Sequence, residues 1–485
     1  MKVNLPVIAK TLGILLTING AFLLLPLPFS IYYNEGDYTS FIYASVINLV
    51  VGGLLIFLGR KQTSKDLKRK DGFLIVTFGW ITLTLLGSLP YIFSGTVSGF
   101  SNIFFETMSG YTTTGATILT DIESLPKGIL FWRNLTQWIG GMGIIVLVVA
   151  ILPFLGIGGM QLFVAEAPGL TPEKLQPRIR ETAKRLWYIY FGLTVLIIIL
   201  LVIGGMPFYE ATCHALSTIS TGGFSPMNAS IGHYKSAYIE YVITFFMFLA
   251  GVNFTMIYFG LKGNFSKFWA NEEFRVYLFF TIIVALIVTA FLIIQEKYDL
   301  LTGFRTALFQ VVSMITTTGF ATADFTLWSH FLVMIFFFLL FVGGSAGSTS
   351  GGIKIVRHLL LGKNTILEFK RQLHPSAIIP VRLNGKSVPR EVIQNILAFI
   401  IIYFSALGIG TILLAFDDIE IGTAISAVAT SLGNVGPGVD ELGPSGNFSQ
   451  LLPFSKWVLS FCMLIGRLEL VTVMIIFTPY FWQRG

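Results

Sequence analysis

The sequence is short of charge and of cysteine, and each shortage excludes a class of protein. Only 12% of its 485 residues are Asp, Glu, Lys or Arg, against 54% hydrophobic, and the mean hydropathy is +0.77. A soluble globule of this size needs more polar surface to face water, so the chain reads as polytopic in a membrane. The two cysteines, Cys213 and Cys462, lie in apolar stretches without a CxxC spacing. Neither a disulfide framework nor a thiolate metal site is expected, and both read as packing residues. No small-residue cleavage site follows the first apolar stretch, so the N-terminus reads as a retained helix that ends near Pro26, Pro28 and Tyr32. Phosphate loops are missing too. Gly385-Lys386-Ser387 has Pro380 where the leading glycine belongs, and Gly156-Ile157-Gly158-Gly159 lacks the third glycine of a dinucleotide fingerprint. An enzyme, a nucleotide-driven pump and a bound cofactor are therefore not expected.

Long apolar runs are what the chain has instead, for example residues 73–93, 187–203 and 392–416. Each is long enough to cross about 30 Å of hydrocarbon as a helix, and none alternates as a barrel strand would. The formal charge of +7 is unevenly spread: six basic residues fall in 60–70, five in 174–185, three in 262–275 and eight in 354–390. Between these clusters lie acidic loops with Glu35 and Asp37, Asp121 and Glu123, Asp417, Asp418 and Glu420, and Asp440 and Glu441. The basic loops are thus predicted to be cytoplasmic and the acidic ones external, with both termini inside. The surplus is a topology signal and not a nucleic-acid surface.

The external connections are too long and too apolar for ordinary loops. Each holds a stretch of about a dozen residues, too short to span, at 100–111, 207–218, 303–315 and 421–432. Each stretch runs into a small polar segment: Thr112, Thr113, Thr114 and Gly115; Ile219, Ser220, Thr221 and Gly222; Thr316, Thr317, Thr318 and Gly319; Gly433, Asn434, Val435 and Gly436. Four copies of span, short helix, polar strand and span form an internal repeat. The reading is an all-α membrane protein with two N-terminal helices and a basic loop in 1–70, then pore units in 71–172, 173–270, 271–388 and 389–485. That makes ten spanning helices and four half-helices.

Irregular backbone at membrane depth is tolerated only where it is buried or lines a watery cavity, so four such segments imply one central pore. A short helix ending there aims its negative end at the axis and favours a cation. Four strands then supply rings of carbonyls that replace a hydration shell, with glycine where the backbone must leave the angles open to other residues. Glu106 and, at a nearby offset, His214 lie in the short helices as supports behind such a filter, while Asp121, Glu123, Asp324, Asp417 and Asp418 are loop charges that could draw cations to the mouth.

The motifs FFETMSGYTTTGAT (104–117), QWIGGMGIIVL (137–147), LPFLGIGGMQL (152–162), STGGFS (220–225), ITTTGFAT (315–322) and GRLE (466–469) resemble the Trk/Ktr/HKT superfamily of potassium transporters, over about residues 71–485. The two extra N-terminal helices make the bacterial Trk branch the nearest likeness. The resemblance implies K+ as the transported ion at the filter residues, and relatives with serine in place of Gly115 are associated with sodium permeation. It implies a homodimer in the inner membrane and a cytosolic nucleotide-binding regulatory subunit, TrkA in that family, docking on the basic loops at 174–185 and 354–390. It also implies a gate under the filter, in a stretch that no helix tolerates intact: Gly343, Gly344, Ser345, Ala346, Gly347, Ser348, Thr349, Ser350, Gly351 and Gly352. Arg467, in the middle of the last span, either faces the cavity below the filter or pairs with Glu469. Lys354 either assists it or anchors a helix end at the inner surface. A proton- or sodium-coupled potassium symporter is the alternative function.

Overall fold

The computed structural model describes residues 3–60, 69–146, 176–377 and 379–483. The LPFLGIGGMQL stretch, the start of the 174–185 cluster and part of the 60–70 cluster lie outside them. Helices dominate, and strand is limited, among the described residues, to a hairpin pairing Arg382–Leu383 with Lys386–Ser387. Six helices are long and apolar enough to cross a membrane, and two bent pairs bring this to eight. The two other expected crossings are Lys127–Val146, which runs to the edge of the described residues, and an interrupted one that begins with His330–Leu339.

The long outer helices keep apolar side chains outward, with Phe245 at 60%, Ile283 at 55% and Ile401 at 67% exposure, a distribution suited to lipid rather than water. The N-terminal pair, Leu5–Phe22 and Tyr38–Leu58, packs closely through small residues, because a Cβ on Gly13 or Gly52 would strike the other helix's backbone. The first helix turns at residues 23–26 and resumes as Leu27–Tyr32, so Pro26 and Pro28 mark a joint and the span ends at Tyr32, as expected. Asn19 links the pair to the centre, bonding Asn48 at 3.0 Å and receiving the Tyr111 hydroxyl at 2.7 Å.

At the centre stand the four short helices, Phe100–Tyr111, Phe208–Ile219, Leu300–Ile315 and Ile421–Gly433, each within three residues of its expected bounds. The helices that follow them differ from expectation. An interruption was foreseen only at 343–352, yet Ala237–Ala250 meets Phe254–Leu261 at 109° and Pro453–Arg467 meets Val471–Phe477 at 108°. Asn253 caps the piece after the first bend by accepting from Thr255 N at 2.8 Å. Left-handed Glu469 and Leu470 make the second.

Candidate functional site

Each short helix ends in the same way. Its next left-handed residue is Thr113, Thr221, Thr317 or Asn434, with φ of 52°, 52°, 56° and 53°. The following amide reaches back to the helix: Thr114 N to Ser109 O at 2.9 Å, Gly222 N to Ser217 O at 2.9 Å, Thr318 N to Ser313 O at 2.8 Å and Val435 N to Thr430 O at 3.0 Å. This six-to-one bond is the Schellman closure, and it turns the amides away from the axis. One residue on, a left-handed glycine completes the segment: Gly115, Gly223, Gly319 and Gly436, with φ of 83°, 79°, 79° and 104°.

This pattern moves the second segment by one residue. It runs Ser220, Thr221, Gly222, Gly223, and Ile219 belongs to the helix. Gly223 escaped sequence reasoning because two glycines adjoin in STGGFS and nothing local says which takes the positive φ.

The four glycines form a closed ring. A Cβ on Gly115 would collide with the carbonyl of Gly222, one on Gly223 with that of Thr318, one on Gly319 with that of Val435, and one on Gly436 with that of Thr114. Each unit therefore presses against the next, and the fourth against the first. All four glycines line the floor of a single mouth whose walls include Thr117, Asn228, Ala321 and Pro437. Among the described residues the carbonyls of Thr113, Thr114, Gly115, Thr317, Thr318 and Gly319 receive no protein hydrogen bond, although Thr113, Thr114, Thr317 and Thr318 are fully buried. Buried carbonyls are ordinarily paired, so free ones from the first and third units suit a desolvated cation, while in the second unit Gly222 O accepts from Gln137 Nε2 at 2.5 Å.

Side chains brace the ring from behind, at the position six residues before Thr112, Ser220 and Thr316. Glu106 accepts from Thr117 Oγ1 and Ile118 N, each at 2.9 Å, and pairs with Arg133 at 2.7 Å, both side chains being buried. Arg133 also donates to Ser225 O at 3.1 Å and lies 3.5 Å over the Phe224 ring. His214 Nε2 bonds Ser225 Oγ at 3.0 Å. Gln310 donates to Ala323 O. The fourth unit has Ala427 there and uses the neighbouring Ser426, which accepts from Val439 N at 2.6 Å. Gln310 and Arg133 were not singled out from sequence, and the shared offset is the signal that would have found the first. Asn434 stands in for a threonine and ties the fourth unit to the first, donating to Thr114 Oγ1 at 3.0 Å and Met463 O at 2.9 Å. Of the acids expected at the mouth, Asp324 accepts from Thr326 N at 3.0 Å, Asp417 from Ser455 Oγ at 2.6 Å and Glu123 from Asn228 N at 3.0 Å. They secure loops.

Residues 343–352 lie directly against the inner end of the ring. Gly351 N donates to Thr317 Oγ1 at 2.6 Å, and Thr349 Oγ1 donates to Ile219 O at 3.0 Å. The bend in the second unit supplies Gly251 O to Ser345 N at 2.8 Å. Arg467, 3% exposed, donates to Thr349 O at 2.8 Å and Gly140 O at 3.4 Å. It does not pair with Glu469, whose carboxylate meets Arg357 from the helix Ile355–Leu373. Lys354 turns inward too, donating to Ser350 Oγ at 3.3 Å and to Ser350 O.

A mostly helical, membrane-suited chain whose short helices converge on one carbonyl ring is a membrane transport protein, not an enzyme. It belongs to the TrkH family, described as cation transport proteins, whose pattern matches residues 38–484. It is 39% identical to the Trk system potassium uptake protein TrkH of Salmonella typhimurium, over 98% of this chain and 99% of that one. The TrkH of Halomonas elongata is also 39% identical, over 99% of this chain and 100% of the other. The crystal structure of the potassium transporter TrkH from Vibrio parahaemolyticus superposes with a TM-score of 0.91 at 37% identity, covering 99% of both chains.

Proposed function

We propose that the chain is the potassium-conducting subunit of an uptake system in the bacterial inner membrane, with its mouth outside and both termini in the cytoplasm. The observation that carries this reading is the closed ring in which each left-handed glycine abuts the next unit's carbonyl. Such a ring replaces the hydration shell of a cation, and the relatives named as potassium uptake proteins supply the choice of ion. Residues 343–352 and Arg467 act as the gate: the loop obstructs the path under the filter, and the buried guanidinium adds a cationic barrier there. A homodimer and a cytosolic nucleotide-binding subunit resembling TrkA complete the system, the latter docking on the basic inner loops. The five pieces of chain, divided near residues 70, 172, 270 and 388, are the N-terminal pair and four pore units.

Flux of potassium and sodium in liposomes tests the filter. Gly115→Ser puts a Cβ against the Gly222 carbonyl at a positive φ and should lower potassium over sodium discrimination. An unchanged permeability ratio would contradict the assignment. The bent helices also suit a proton- or sodium-coupled symporter, since discontinuous helices hold coupling ions in such proteins. A reversal potential that moved with pH at fixed potassium would favour that alternative.

A further inference from the structure

Two residues outside the intramembrane loop grip its tip. The backbone N–H of Ala346 donates to Glu273 Oε1 at 2.6 Å, and its carbonyl accepts from Asn253 Nδ2 at 2.7 Å. The next carbonyl, of Gly347, accepts from Phe254 N at 3.1 Å. Gly347 is left-handed, with φ of 76°, and a Cβ there would stand 2.9 Å from Asn253 Nδ2, so only glycine lets the tip sit so close. Glu273 is 4% exposed, an expensive placement for a carboxylate in a membrane protein. Capping does not account for it. Asn271 already caps the helix Glu272–Ile294 by accepting from Phe274 N at 2.9 Å, and Asn384 accepts from Glu272 N at 2.8 Å. The base of the grip is fixed at the inner surface, where Glu272 pairs with Lys363 and Lys363 donates to Arg382 O at 2.9 Å in the hairpin.

We propose that Glu273 and Asn253 form a clamp that holds the tip of the loop, Ala346 and Gly347, in the closed position, so that opening requires both bonds to break. This inference rests on the reading of residues 343–352 as the gate. Glu273 supplies the stronger half, because a bond from a neutral amide to a carboxylate exceeds one between neutral groups. Both are positioning residues: neither touches the filter.

The test is rubidium uptake into potassium-loaded liposomes by the full chain without any cytosolic subunit, with potassium and sodium permeability measured alongside. Glu273→Ala should raise uptake roughly tenfold and Asn253→Ala by a smaller factor. Glu273→Gln, which keeps an acceptor but loses the charge, should fall between wild type and Glu273→Ala. It carries the test if the alanine variant does not fold. The potassium to sodium ratio should stay at the wild-type value throughout, which a generally loosened structure would not preserve. Wild-type uptake in all three variants, with Arg467→Ala measurably raised, would overturn the clamp and leave the gate. Absence of potassium-selective flux in every variant, Arg467→Ala included, would overturn the reading of the pore and the clamp with it.

Discussion

Adjacent Gly222 and Gly223 allow a sharp test of how the ring is built. At Gly223 the backbone is left-handed, which costs a residue with a Cβ about 1–2 kcal/mol by itself. The added methyl would also drive into the Thr318 carbonyl, a backbone atom that can yield only by leaving its place on the ring. At Gly222 no positive φ is required, and the methyl would meet the end of the Gln137 side chain. That amide can swing aside, at the loss of its bond from Phe224 N, now 3.0 Å, and of its own bond to Gly222 O, now 2.5 Å, each worth about 0.5–1.5 kcal/mol. In reconstituted liposomes Gly222→Ala should therefore keep its preference for potassium with a modest fall in rubidium uptake. Gly223→Ala should lose the preference or all flux. A Gly223→Ala protein with wild-type selectivity, beside a non-selective Gly222→Ala, would refute the register and restore the one the sequence suggested.

Two further outcomes follow from buried charge. Arg133→Met strands the Glu106 carboxylate, with only Thr117 and Ile118 still donating, and should destabilise the protein by about 3–5 kcal/mol, seen as a lower melting temperature in detergent. Adding Glu106→Gln should recover most of the loss, because the two sites are coupled; additive losses would deny the pairing. Arg467→Ala removes both the cation under the filter and the bond to Thr349 O, so flux without a cytosolic subunit should rise; wild-type flux would remove Arg467 from the gate.

The parts legible in the sequence were those set by local rules. Apolar runs too short to span, each followed by glycine, serine or threonine, gave the four short helices, since re-entry depends on length and on backbone freedom. What escaped depends on distant contacts. The bend at residues 251–253 has one glycine and one asparagine in an apolar setting, and it is held open by Ser345, almost a hundred residues away, donating to Gly251 O. Pairing with Glu469 was one of the two readings open for Arg467, but the left-handed turn at Glu469 and Leu470 sends the two side chains to different partners. Gln310 carries no local signal beyond a polar side chain on a short helix, and only the offset it shares with Glu106 and His214 marks it.

Below the ring the near-fourfold arrangement stops, and the contacts explain why it must. The single loop at 343–352 touches three units at once: Thr349 bonds Ile219 O of the second, Gly351 bonds Thr317 of the third, and a Cβ on Gly351 would strike the Gly433 carbonyl of the fourth. The first unit contributes Gly140 O, which holds Arg467 of the fourth at 3.4 Å. One loop therefore uses up sites that four identical loops would have to share, and close packing leaves no second position at the same depth. Four identical subunits could build the carbonyl ring, because it needs only the same turn four times. They could not build this single loop beneath it. Joining the units in one chain lets the ring keep its repeated geometry while one unit donates the loop, another its bent helix, and another the arginine.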